Sequence, residues 1–220
     1  MTINIDQIET WIFDLDNTLY PASSKLFDQI SSRMTQFIMA ELQINKKLAL
    51  LVQKKYFRAH GTTLRGLMIN HNTDPLCFLK FVHDIDLSPI NKQNTLLDSE
   101  LKRLPGRKVI FTNGSVEHAK NVTKHMGIDH HFDYIFDIVA SNYIPKPSKQ
   151  VYKEMVAKLN INPNTAVMIE DMACNLIPAS DMGMTTVWVR SEIGWAAKDS
   201  QCDQIDYRVN DLPKWLSKLK

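Results

Sequence analysis

Two aspartates one residue apart, Asp14 and Asp16, close a short apolar run, Thr10-Trp11-Ile12-Phe13. Side chains alternate along an extended chain, so both carboxylates project to one side and Leu15 to the other. At about 4 Å and an effective dielectric of about 20, two such charges repel by roughly 4 kcal/mol. One of them therefore holds a proton, or a cation sits between them. A second apolar run, Val109-Ile110-Phe111, leads into Thr112-Asn113-Gly114-Ser115. A hydroxyl just before a helix start suits a phosphate oxygen, because the free N–H groups of the first turn attract anions. Lys146 stands between Pro145 and Pro147. Its stiff backbone would aim a point charge at a phosphate or a carboxylate. A third apolar run, Val167-Met168-Ile169, ends in Glu170-Asp171, with Asn175 four residues on. Asp171 would complete an oxygen cage for a hard cation such as Mg²⁺, and Asn175 could orient Lys146 or a bound water.

These groups can meet only if the fold carries their segments to one edge. The runs at Thr10–Phe13, Lys108–Thr112, Ala166–Ile169 and Thr185–Val189 are continuously apolar, as in strands covered on both faces. Short pieces near Tyr134–Val139 and Tyr207–Val209 would add edge strands. Helical patterns lie between them: Val116–Met126 behind the N-cap candidate Ser115 and stopped by Gly127, then Ser148–Leu159, then Ala173–Met182 before Gly183. Such alternation predicts an α/β fold, a three-layer, Rossmann-like parallel sheet with ligands at the C-terminal strand ends. The long segment from Pro21 to Leu101 breaks the alternation. Phe27, Ile30, Met34, Phe37 and Ile38 recur at helical spacing, as do Leu48, Leu51, Val52, Lys55 and Tyr56. Residues 21–102 are therefore expected to form a small inserted α-helical cap, and residues 1–20 with 103–220 the core.

The chain has 220 residues, 44% of them apolar, which is enough for a real core and too many for a disordered protein. With 26 Lys and Arg against 24 Asp and Glu, the net charge of +2 supplies no field for a nucleic acid polymer or an anionic membrane. Three scattered cysteines form no CxxC pair, which disfavours a disulfide framework or structural zinc. The first ten residues lack the pattern of a signal peptide, and no apolar stretch approaches the length of a membrane span. The expectation is a cytoplasmic protein, a monomer or weak homodimer.

Together, Asp14-Leu15-Asp16-Asn17-Thr18, Thr112-Asn113-Gly114, Lys146-Pro147 and Glu170-Asp171 with Asn175 resemble the four motifs of the haloacid dehalogenase superfamily, in order. The resemblance covers the whole core. It implies that Asp14 is the nucleophile and becomes a phospho-aspartate. Asp16 would protonate the leaving oxygen, activate the water that follows, and ligate Mg²⁺ through its main-chain carbonyl. Asp14 and Asp171 would be the side-chain metal ligands, and Thr112, Asn113 and Lys146 would hold the phosphoryl oxygens, with Glu170 and Asn175 in support. An acid at position 16 fits phosphoryl transfer better than dehalogenation. Phosphonate cleavage would need a cap lysine; Lys54 and Lys55 are better read as a solvated helix face.

The stretch from Tyr56 to Leu67, with Phe81-Val82-His83-Asp84-Ile85-Asp86 and the first motif, is similar to the pyrimidine 5′-nucleotidase branch. That implies a nucleoside monophosphate under the cap. Arg65 and the Gly61–Thr63 turn, with Thr62 and Thr63, are the expected contacts, and Arg58, His60 and His83 weaker ones. Gly61 and Gly66 suggest a turn with close backbone approach. Phe78 and Phe81 read as cap core, and His130-His131 as surface. Rival readings are a phosphatase of another small phosphate ester, such as a sugar phosphate or flavin mononucleotide, a sugar-phosphate mutase, or a non-catalytic binding module.

Overall fold

The computed structural model describes residues 3–190 and 201–220. In chain order the elements are β1 (Thr10–Phe13), α1 (Leu26–Leu42), α2 (Lys46–His60), α3 (Thr63–His71), α4 (Pro75–Val82), α5 (Thr95–Arg103), β2 (Arg107–Phe111), α6 (Val116–Met126), β3 (Tyr134–Phe136), α7 (Lys149–Leu159), β4 (Ala166–Glu170), α8 (Ala173–Asp181), β5 (Thr185–Val189), β6 (Tyr207–Val209) and α9 (Leu212–Leu216). The six strands form one parallel sheet in the order β3-β2-β1-β4-β5-β6. This is the predicted α/β class.

The continuous apolar runs are explained by cover on both faces. Trp11, Phe13, Ile110, Val167 and Ile169 pack on one side with residues of α5, α6 and α9. Ile12, Val109, Phe111 and Met168 pack on the other with residues of α7 and α8. Helix α6 begins where expected: Ser115 Oγ accepts the His118 N–H at 3.2 Å, and Gly127 ends the helix in the left-handed conformation at φ 71°.

A third cluster, including Ile30, Ile38, Tyr56, Leu64, Leu67, Phe78 and Val82, joins α1 to α4. Phe37 meets Phe78 and Phe81 edge-on, at 5.1 and 5.6 Å between ring centroids, so both rings are cap core. Helix α5 lies within the expected cap range but does not share this cluster. Its Leu97 and Leu101 are buried with the sheet-side residues. On α2, Leu48 and Leu51 are exposed, and the buried positions are Ala49 and Tyr56. The reason is polar: Gln53 hydrogen-bonds to Thr35 Oγ1 and Ser31 on α1, which turns the 49-53-56 stripe inward. His130 and His131 lie in a 3₁₀ turn, and both reach Asp98 Oδ1 on α5, at 3.2 and 2.7 Å. His131 is thus largely buried, in contrast to the surface reading. Among the described residues no helix is long and apolar enough to cross a membrane.

Candidate active site

The pairing register dictates which residues meet. Phe13 is level with Ile110 on β2 and with Ile169 on β4, so Asp14 emerges beside Phe111 and Glu170. Adjacent strands lie about 4.8 Å apart, which brings three chain segments to one rim. Lys146 comes from the loop before α7, and Asn113 fixes it there. Asn113 Oδ1 accepts the Lys146 N–H at 2.9 Å, and its amide donates to the Lys146 carbonyl at 3.4 Å. Both ends of the Asn113 side chain are thereby occupied. The Asn113 side chain, expected to hold phosphate, positions the lysine loop.

The Lys146 side chain is buried, and its ammonium has three protons to give. They go to Asp14 Oδ1 at 2.7 Å, Glu170 Oε2 at 2.6 Å and the Phe111 carbonyl at 2.7 Å. Burial alone would lower its pKa, but the charges of Asp14 and Glu170 outweigh that and raise it. In this arrangement the ammonium offsets two carboxylates and has no proton left for another acceptor. Asn175 is buried but does not bond to it; the Asn175 carbonyl accepts the Tyr152 hydroxyl.

Asp14, Glu170 and Asp171 each offer an oxygen within 4.8 Å of the others, and all three are buried. Burial, then Glu170, raises the Asp14 carboxyl from 3.8 to about 7 despite Lys146. Burial, then Glu170 and Asp14, pushes Asp171 well above its ordinary value. Among the described residues Asp171 Oδ2 has no hydrogen-bond partner, although it is shielded from solvent. A buried carboxylate oxygen left in this way costs free energy unless something positive reaches it. With all three acids ionised against one ammonium the group carries −2, so a divalent cation with oxygen preference fits it. Glu170, expected only in support, belongs to the carboxylate group itself.

Asp16 faces elsewhere. Its Oδ1 accepts the Tyr20 hydroxyl at 2.5 Å and His118 Nε2 at 2.8 Å. Its side chain is therefore not among the converging oxygens, and only its main-chain carbonyl stays a candidate ligand. Burial would raise the Asp16 carboxyl, but the charge and hydrogen bond of His118 and the Tyr20 hydroxyl hold it below 3.8. Thr18 Oγ1 donates to Asp14 Oδ2 at 3.0 Å. Thr112 is buried directly after β2, and its Oγ1 accepts the Gly114 N–H at 2.9 Å.

Thr18, Tyr20 and His118 escaped the sequence reading. The four-residue spacing from Asp14 to Thr18 and from Asp16 to Tyr20 was the available signal, because one tight turn brings such residues back together. His118 had none beyond its place in the first turn of α6.

In the cap, Thr62 Oγ1 accepts the Arg65 N–H at 3.1 Å as the N-cap of α3, and buried Thr63 donates to the Gln53 carbonyl at 3.3 Å. The two threonines thus help to build the cap helices. Arg65 and His60 do reach the rim: with Gly61 and Ile69 they line a cleft whose other wall is Ile144 to Ser148. The close approach expected of the glycines is present, but Gly66 lies within helix α3 rather than in a turn. A Cβ on Gly61 would stand 2.9 Å from Pro145 Cγ, and one on Gly66 would stand 2.3 Å from Tyr56 Cβ.

The model of the haloacid dehalogenase-like hydrolase family matches residues 8–176. Phosphate metabolism protein 8 of Saccharomyces cerevisiae is 28% identical over 193 residues, which are 80% of this chain and 60% of that protein. Bifunctional epoxide hydrolase 2 of Rattus norvegicus is 40% identical over 63 residues, 29% of this chain and 11% of that protein. The chain thus spans less than two thirds of these relatives' length. Similar solved structures include a HAD phosphatase from Thermococcus onnurineus, with TM-score 0.63, 18% identity, and 96% and 97% of the two chains covered. YfnB from Bacillus subtilis in a magnesium-bound form has TM-score 0.63, 14% identity and 97% and 99% coverage. An L-2-haloacid dehalogenase from Xanthobacter autotrophicus has TM-score 0.60, 13% identity and 97% and 100% coverage. At such identities these structures speak for the fold alone.

Proposed function

The chain belongs to the haloacid dehalogenase-like hydrolases, and within that family we propose that it is a Mg²⁺-dependent phosphomonoesterase acting on nucleoside 5′-monophosphates, pyrimidines first. The observation that carries this reading is the buried group of three carboxylates, with one committed ammonium and an unpartnered Asp171 Oδ2 among the described residues. Such a group calls for a divalent cation, and a divalent cation is what allows a phosphate dianion to approach an aspartate. Asp14, Asp171 and Glu170, with the Asp16 carbonyl, would hold it. When bound, Mg²⁺ would neutralise the rim and polarise a phosphoryl oxygen.

The chain's own residues do the rest. Asp14 attacks phosphorus while the ester oxygen departs with a proton from Asp16. Water then attacks the phospho-aspartate and gives a proton back to Asp16, which frees phosphate and restores Asp14. The like charge of the incoming dianion favours the protonated form of Asp16. Thr112 donates its hydroxyl to the phosphoryl group. A halide leaves without a proton, so a second acid fixed by Tyr20 and His118 suits ester cleavage better than dehalogenation. Arg65 and His60, which line the cleft with Lys146, would meet the leaving group there, where a guanidinium suits the polar edge of a base.

Phosphate release from UMP, CMP, AMP, flavin mononucleotide and glucose 6-phosphate, with and without Mg²⁺, tests this reading. The expected result is metal-dependent release, fastest from UMP or CMP. Preference for glucose 6-phosphate or flavin mononucleotide would transfer the same chemistry to another ester. No release from any of the five would contradict the phosphatase reading.

A further inference from the structure

Asp16 is held by a chain of contacts that runs into the cap. His118, 1% exposed, donates to Asp16 Oδ1 beside the Tyr20 hydroxyl. The His83 ring lies flat on the His118 ring, 4.3 Å between centroids and 8° between planes. His83 is the residue that ends α4, so it belongs to the cap's last helix. It is fixed from both sides. Ser115 Oγ meets its Nδ1 at 3.0 Å, and Arg33 on α1 brackets it by bonding the Phe81 carbonyl at 2.6 Å and Asp84 at 3.0 Å. Ser115 Oγ already accepts the His118 N–H, so its proton is free for His83. Two bonds converge on Asp16 Oδ1, and no described residue hydrogen-bonds Oδ2. A carboxyl clamped by one oxygen presents the other in a fixed direction.

We propose that His118, stacked on His83 of the cap, is the positioning residue that aims Asp16 Oδ2 at the ester oxygen, so that proton donation depends on how the cap is seated. The inference rests on the phosphatase reading above. In the first step the bond from phosphorus to the ester oxygen breaks, the Asp14–phosphorus bond forms, and the Asp16 proton goes to the departing oxygen. In the second step a water oxygen bonds to phosphorus, the Asp14–phosphorus bond breaks, and the water proton returns to Asp16. A phenolate such as p-nitrophenolate leaves without the first proton, whereas an alkoxide needs it. Both esters need the second.

The test compares an alkyl phosphate with p-nitrophenyl phosphate in wild type, His118→Ala, His118→Gln, Tyr20→Phe and His83→Ala, with Mg²⁺ present. For His118→Ala, kcat/KM on the alkyl ester should fall about 100-fold, the lower end of what general acid catalysis supplies, and on the aryl ester less than about 5-fold. Because the second step also slows, the aryl ester should give a burst of p-nitrophenolate. His118→Gln, which keeps a donor, should recover part of the alkyl activity. Tyr20→Phe removes one oxygen only and should show the same split if His118→Ala does not fold. Equal losses on both esters in His118→Ala and Tyr20→Phe, with no burst, would overturn the proposal. A His83→Ala enzyme without any split would remove the cap from it. A wild-type enzyme that releases phosphate from neither ester would overturn the phosphatase reading, and this inference with it.

Discussion

At the scale of single residues the site is a charge problem. Among the described residues, Lys146 is the one ammonium bonded to the group of three buried carboxylates, through Asp14 and Glu170. Removing one member of a buried ion pair costs roughly 3–5 kcal/mol, because the partner charge stays behind. Lys146→Met should therefore lower metal-free stability by about that amount in urea unfolding, and an unchanged midpoint would contradict the account. The pH dependence has a definite sign. The Asp14 carboxyl is at about 7 in the folded protein, against 3.8 ordinarily. A raised acid contributes stability below about pH 4 that is lost as pH rises through about 7. The Tm of metal-free protein should fall across that window, and Mg²⁺ should raise Tm more at about pH 8 than at about pH 5. A Mg²⁺ shift as large at the lower pH would be the wrong sign. Asp14→Asn should abolish turnover with the fold intact, as judged by phosphate release and circular dichroism. Wild-type rates in that variant would remove Asp14 from the chemistry.

At the scale of elements the cap comes close to the lysine loop at Gly61. Gly61 ends α2 at φ 81°, and a Cβ there would stand 2.9 Å from Pro145 Cγ. Gly61→Ala should displace the cap wall from the cleft. KM for nucleotides should rise severalfold while the Tm of the core changes little; unchanged KM would leave the contact without functional weight. Arg65→Ala should raise KM for nucleotides more than for p-nitrophenyl phosphate, and equal effects would exclude a contact with base or sugar. These elements also mark what the sequence made legible. The strands read clearly because a sheet covered on both faces demands unbroken apolar runs, and the strand-end acids follow from topology. The face of α2 did not read, because Gln53, a polar residue satisfied by Ser31 and Thr35, stands at the centre of its buried stripe. The stack of His83 on His118 joins residues 35 positions apart, and no local pattern announces such a contact.

At the scale of the whole molecule, an open parallel sheet and a helical cap share one rim. The order β2-β1-β4 brings Phe111, Asp14 and Glu170 level, while Arg65 and His60 line a cleft with Lys146 and His83 stacks on His118. The central claim is that Asp14 carries the phosphoryl group while the rest of the rim holds charge and protons in place. Acid-quenched turnover analysed by peptide mass spectrometry tests it most directly. The account predicts one phosphoryl group on Asp14 during turnover with Mg²⁺, and none in Asp14→Asn or in metal-free protein. Turnover with no label on Asp14, or with the label on another residue, would contradict it.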